Sequence, residues 1–189
     1  MGWQVNEIAW NGYEPVTIAQ VRAHTNISSN ADDALLETYI SAAREYVEGQ
    51  AGMLLRPCTV EIVLDCLAAP LKLPVAPIRE VLSVAYTDFA GAAATLDADD
   101  YVMRTRFGRT ELVPAPGKSW PQALAGTDVV VTAEAGYLTG NAMQVHARHA
   151  IWMLAAHYYT FREATADKAL AAIPFAVTDC IDRLRPAAF

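Results

Sequence analysis

Apolar residues change their period twice along the chain, which divides it into helix, strand and helix again. Glu14-Pro15-Val16 leads into Thr17-Ile18-Ala19-Gln20, a capping-box spacing: Thr17 can accept from the Gln20 N–H while Gln20 reaches back. Val16 and Val21 take the N′ and N4 positions of a hydrophobic staple, so a short helix is expected from about Ile18 to before Asn26. A second helix follows, with Asn30 as its cap and Asp32 and Asp33 near the positive end of its dipole, running to Gly49 or Gly52. Leu35, Leu36, Tyr39, Ile40, Ala43, Tyr46 and Val47 recur at the helical period, while Glu37, Ser41, Arg44, Glu45 and Glu48 mark a wet face.

From Cys58 to Tyr137 the pattern turns to strands. Thr59–Asp65 is β-branched and partly alternating. Pro70, Pro74 and Pro77 forbid helix across Ala69–Ile78. Val81–Thr87 alternates as a half-buried strand, and Asp88-Phe89-Ala90-Gly91 reads as a turn. Tyr101–Thr105 and Thr110–Val113 form a hairpin around Phe107-Gly108, and Asp128–Ala135 is another strand. In the last third Asn141 can cap a helix, with Gln144 at N3. Its run through Val145, Ile151, Trp152, Leu154, Ala155, Tyr158 and Tyr159 is apolar on nearly all sides, as suits the centre of a bundle or an assembly. A final helix starts near Pro174 as N1 residue, buries Val177, Cys180, Ile181 and Leu184, and stops at Pro186. The expected fold is α+β: a mainly α-helical bundle with an inserted small antiparallel β-sheet subdomain. Residues 1–13 would be an extended N-terminal arm, 14–56 and 138–189 the helical core, and 57–137 the inserted β subdomain.

Composition narrows the function. The chain has 189 residues, 53% of them hydrophobic and 19% charged, enough to bury a substantial core. Its net charge is −7 and its lysines are Lys72, Lys118 and Lys168, which argues against a dedicated nucleic-acid binder or docking on an anionic membrane. The longest uncharged apolar helical stretch, His149–Phe161, falls short of the ~20 residues that span a bilayer, and Met1–Tyr13 lacks the pattern of a secretory signal. Cys58, Cys66 and Cys180 are odd in number and lack CxxC spacing. Cys58 and Cys66 would stand roughly 26 Å apart on a straight strand, too far to pair. Buried free thiols in a reducing cytoplasm are therefore expected.

Few residues suggest chemistry. His146 and His149 share a helix face at i, i+3, but no carboxylate joins them at a ligand spacing, so they read as partly buried or interfacial histidines. Asp97, Asp99 and Asp100 lack the glycine and terminal glutamate of a calcium loop and read as a solvated turn. Motifs for nucleophilic, nucleotide-binding or zinc-hydrolase chemistry are missing, so neither an enzyme nor a cofactor is expected. The loop Pro114–Pro121 is less ordinary, because prolines and Gly117 stiffen a backbone that presents Trp120. Trp120 is either folded onto the sheet core or an anchor at a protein interface, and Trp3 and Trp10 of the arm raise the same question.

A series of short matches then resembles the head–tail connector (adaptor) proteins of tailed phages and gene transfer agents, in the gp6-like form with a β insertion. The matches run in order: Glu14-Pro15-Val16-Thr17; Asp32-Asp33-Ala34-Leu35-Leu36; Ala42-Ala43-Arg44-Glu45-Tyr46-Val47-Glu48; Leu73-Pro74 and Pro77-Ile78; Tyr86-Thr87-Asp88. They continue with Asp100-Tyr101, Pro116-Gly117 with Trp120-Pro121, Ala135-Gly136-Tyr137, His157-Tyr158-Tyr159 with Arg162-Glu163, and Ile173-Pro174-Phe175. The resemblance spans about Glu14 to Leu184 and leaves out the tryptophan-bearing arm. It implies a virion structural protein: a head-to-tail ring of roughly twelve copies docked under the portal and carrying stopper or tail components. DNA would only pass through its channel, whose acidic wall would not hold phosphates. It also implies portal contacts in Phe175–Phe189, with Arg183, Arg185 and Phe189 among them, and synthesis in the bacterial cytoplasm before assembly into the neck. The alternatives are another neck part, such as a stopper or tail-completion protein, and a small metal-binding enzyme using His146 and His149.

Overall fold

The computed structural model describes residues 3–10, 13–106, 108–140, 142–161 and 173–185. Its elements run β1 (Trp3–Trp10), α1 (Ile18–Thr25), α2 (Asp33–Ala51), β2 (Cys58–Leu64), β3 (Leu71–Lys72), β4 (Ile78–Thr87) and β5 (Ala93–Thr95). After a 3-10 turn at Ala98–Asp100 come β6 (Tyr101–Arg106), β7 (Arg109–Pro114), β8 (Val129–Ala135), α3 (Val145–Thr160) and α4 (Phe175–Leu184). The chain divides into a helical unit, Gly12–Leu55 with Tyr137–Arg185, and a β unit built on Arg56–Gly136 together with β1. The fold is α+β, but the expectation of a mainly helical chain is corrected: strands occupy about as many residues as helices.

In the helical unit the capping box forms as its spacing requires. Thr17 Oγ1 accepts from the Gln20 N–H at 3.3 Å, and Gln20 Oε1 accepts from the Thr17 N–H at 2.9 Å. Val16 and Val21 are buried beside it, and Asn26 closes α1 in the left-handed region. Asp32, not Asn30, occupies the N-cap position of α2, and its carboxylate accepts from the Tyr159 hydroxyl at 2.6 Å. Leu36, Ile40, Ala43 and Val47 bury the apolar stripe of α2. They join Ala147, Ile151 and Leu154 of α3 and Val177, Ile181 and Leu184 of α4 in one cluster. α3 packs against α1, α2 and α4. Ala147, Ala150, Ile151, Leu154 and Ala155 are buried along it, which accounts for the apolar centre of its sequence. Gln144 takes its N-cap position, three residues later than a cap at Asn141, which lies outside the described residues. Pro174 stands one position ahead of N1, at the N-cap of α4.

In the β unit all pairings are antiparallel, and two sheets form where one was expected. The larger has the order β1-β2-β8-β4-β5 and the smaller β3-β7-β6. β2 and β8 are central and bury every second residue, Cys58, Val60, Ile62 and Leu64 facing the same side as Val129, Val131, Ala133 and Ala135. Full burial of each valine, isoleucine or leucine among them contributes about 1.5–3 kcal/mol. β4 is interrupted by register shifts between Ile78 and Glu80 and between Val81 and Ser83. The second leaves Leu82 unpaired and 50% exposed, although simple alternation would put it on the same face as buried Val84. The chain leaves β8 at Gly136, where φ is +79° and an added Cβ would lie 1.8 Å from the Arg56 carbonyl oxygen. Only glycine fits that crossing.

Candidate functional site

The residues marked in the sequence as contacts fall in both units. Trp3 and Trp10 stand at the two ends of β1, paired through the backbone with Leu64 and Cys58. The N-terminal segment is thus the edge strand of the larger sheet, with a register shift between Glu7 and Ala9. Arg56 holds it from the side: its guanidinium donates to Glu7 at 2.8 Å and lies 4.6 Å from the centroid of the exposed Trp10 ring. Trp120 is half-buried, and its indole N–H donates to the Ala68 carbonyl at 2.9 Å, so its polar tip is already engaged within the β unit. Its loop is pinned by Lys118, whose ammonium bonds Asp100 Oδ1 at 2.7 Å. That bond holds the Asp100 carboxyl below its ordinary pKa and the Lys118 ammonium above its own.

α4 presents the most exposed large apolar side chain among the described residues. Phe175, its first residue, is 86% exposed, while Val177, Cys180, Ile181 and Leu184 face the core. Burial pushes the Cys180 thiol up. Arg183 pairs with Asp179 at 3.0 Å, and Arg185 pairs with Asp182 at 3.2 Å and donates to the Gln50 carbonyl at 3.0 Å. Phe189 lies outside the described residues. His146 and His149 are both exposed: of the two placements expected for them, partly buried or interfacial, the partly buried one is corrected. Among the described residues no group of three or more His, Cys, Asp or Glu side chains could hold a metal ion. Nor, among them, is any helix long and apolar enough to cross a membrane.

Sequence reasoning placed Arg44 on the wet face of α2, and that is corrected: its side chain is 2% exposed. Its Nε donates to Glu14 Oε2 at 2.9 Å, Nη1 pairs with Glu48, and Nη2 meets Glu45 Oε1 at 3.3 Å. Glu14 also accepts from Ser41 Oγ at 2.9 Å, and Glu48 accepts from the Leu55 N–H at 2.7 Å. Burial works against the charge on Arg44, but Glu48 and Glu14 outweigh it and hold the guanidinium above its ordinary pKa. The available signal was the i, i+4 spacing of Arg44 and Glu48 beside an apolar stripe. Phe89 was read only as part of a turn. It stands exposed at the tip between β4 and β5, where Asp88 Oδ1 accepts from the Ala92 N–H at 2.8 Å.

Residues 15–103 match the family model of the phage gp6-like head-tail connector protein. The chain resembles a head–tail connector. Solved structures extend the likeness to nearly the whole connector-like chain. A chain from the neck of an empty gene transfer agent particle, computed with C6 symmetry, aligns with a TM-score of 0.79 and 26% identity over 98% of this chain and 97% of that one. A chain from the virion of a native gene transfer agent particle gives 0.78 and 27%, over 98% and 96%. One from the neck of a native particle computed with C12 symmetry gives 0.75 and 26%, over 98% and 97%. Comparison with curated protein sequences returns no match. Together the family match and the neck structures support a structural role in a virion neck.

Proposed function

We propose that this chain is the adaptor of a phage-like or gene-transfer-agent particle. Its copies close into a ring of about twelve between the portal and the stopper or tail components, leaving a channel through which DNA passes. The observation that carries the reading is the likeness over 98% of the chain to a chain from a particle neck, at a TM-score of 0.79. The C6 and C12 symmetries of the related necks support a closed ring and a count near twelve. The role is mechanical and involves no catalytic step. The net charge of −7 suits a channel wall that does not retain a polyanion. The chain would be made in the bacterial cytoplasm and act in the finished neck.

For the portal contact the first residue is Phe175, because an exposed aromatic at a helix start gains most from a partner's pocket. Arg183 and Arg185 at the other end of α4, and Phe189 beyond it, complete that set. Trp3, Trp10 and Trp120 are assigned to neighbouring copies or to the stopper side. Cross-linking in intact particles tests the reading. Links from α4 to the portal are expected, whereas links to tail components alone would replace the adaptor with a stopper or tail-completion protein.

A further inference from the structure

The three-stranded sheet has one charged face. Lys72 of β3 and Arg104 of β6 both stand opposite Glu111 of β7, and cross-strand partners point to the same side of a sheet. Arg106 lies two residues beyond Arg104, hence on that side, and faces Arg109 across the hairpin. Four cations therefore share a face with one carboxylate. The opposite face is neutral and includes the buried Leu71, Thr110 and Leu112. Arg104 and Arg106 are exposed, and Arg106 reaches Glu111 only at 3.8 Å.

The outer face of α2 has the reverse charge. Glu37 and Glu45 flank a shallow groove floored by the small side chains of Ala34, Thr38, Ser41 and Ala42. Glu48 of the same helix and Glu14 of the lead-in close around the buried Arg44 and are taken up by it. Glu37 and Glu45 are the exposed charges of this face, both negative.

We infer that the basic face of the three-stranded sheet in one copy docks on the acidic α2 face of the next copy. The inference rests on the ring reading, since head-to-tail closure needs two different, complementary surfaces on every subunit. Copies that each carry −7 repel one another unless opposite patches meet. This pairing turns that repulsion into attraction and fixes the orientation of neighbours. Exposed Val102 on the basic face adds an apolar contact, and the small residues of the groove let a strand approach. Duplex DNA is the rival occupant. A chain of this net charge repels a polyanion at long range, and so few cations would neutralise few phosphates.

Sedimentation of the full chain at low salt, up to about 1 mM, tests the contact. Self-association that weakens as salt rises is expected. Arg104→Glu with Arg106→Glu should weaken it at least about tenfold, and so should Glu37→Lys with Thr38→Lys, which spares the Arg44 cluster. Mixing the two variants should restore association that neither shows alone, with circular dichroism showing both variants folded. A wild type that stays monomeric to about 1 mM overturns the contact. So does association indifferent to either reversal, or a reversed hairpin that loses DNA binding while assembly persists. Each of these leaves the α4–portal cross-links standing. Loss of those links with self-association intact would strike the ring reading instead.

Discussion

Among the described residues each unit buries one charged side chain among charges of opposite sign, and the two do it differently. Arg44 in the helical unit is sealed in, with direct bonds to Glu14 and Glu48. Glu111 in the β unit sits between Lys72 and Arg104 in register, while Arg106 approaches it only at 3.8 Å. Short, desolvated pairs tie the chain to itself: the Arg44 cluster joins the lead-in at Glu14, the middle of α2 and the backbone at Leu55. Arg104 and Arg106, by contrast, stand exposed at the surface, where a partner can answer them. The comparison separates charges that hold the fold from charges that face outward.

The sharpest way to break it is Arg44→Ala. Glu14 and Glu48 would lose their buried cation, and urea unfolding should show a loss of about 3–5 kcal/mol. Glu111→Gln should cost about 1 kcal/mol or less by the same measurement. Equal costs would erase the distinction. A similar contrast holds among apolar residues. Ile62→Ala, in the centre of the larger sheet, should cost about 2–5 kcal/mol. Ile8→Ala on the edge strand, where the side chain is 56% exposed, should stay within about 0.5 kcal/mol. An effect between these two, about 1 kcal/mol, is expected for Thr17→Ala, which removes one half of the capping box.

The smallest effect is electrostatic. The bond from Lys118 depresses the Asp100 pKa, so its contribution is complete above the ordinary carboxyl value of 3.8 and is lost as pH falls below it. An NMR titration should place the Asp100 midpoint below 3.8, and Lys118→Met should return it toward that value. A midpoint unmoved by the substitution would remove the pair from the account.

Local signals were legible in the sequence where one element carried them alone. Thr17, Gln20, Val16 and Val21 specify the start of α1 by spacing, and its end before Asn26 followed. The alternation of Thr59–Asp65 and Asp128–Ala135 gave two central strands because both are half-buried along their whole length. Features that depend on a partner were not legible. β1 reads as an arm because the register shift after Glu7 breaks its two-residue period. β3 is two residues between prolines, and β5 is Ala-Ala-Thr, so neither carries a strand signal until β7 or β4 lies beside it. Without β3 the second sheet could not be foreseen. Arg44 was misplaced for a related reason: helical periodicity counts an arginine as polar and cannot see Glu14, thirty residues earlier, closing over it. Among the contact residues, aromatic character pointed to Trp120, but not to its bond with Ala68.

The central claim is a ring of this chain on a portal. Electron microscopy of the full chain mixed with the portal of its particle, reconstructed without imposed symmetry, tests it most directly. A closed ring of copies seated on the portal, with α4 at the contact, is expected. A chain that stays monomeric and leaves the portal bare would contradict it.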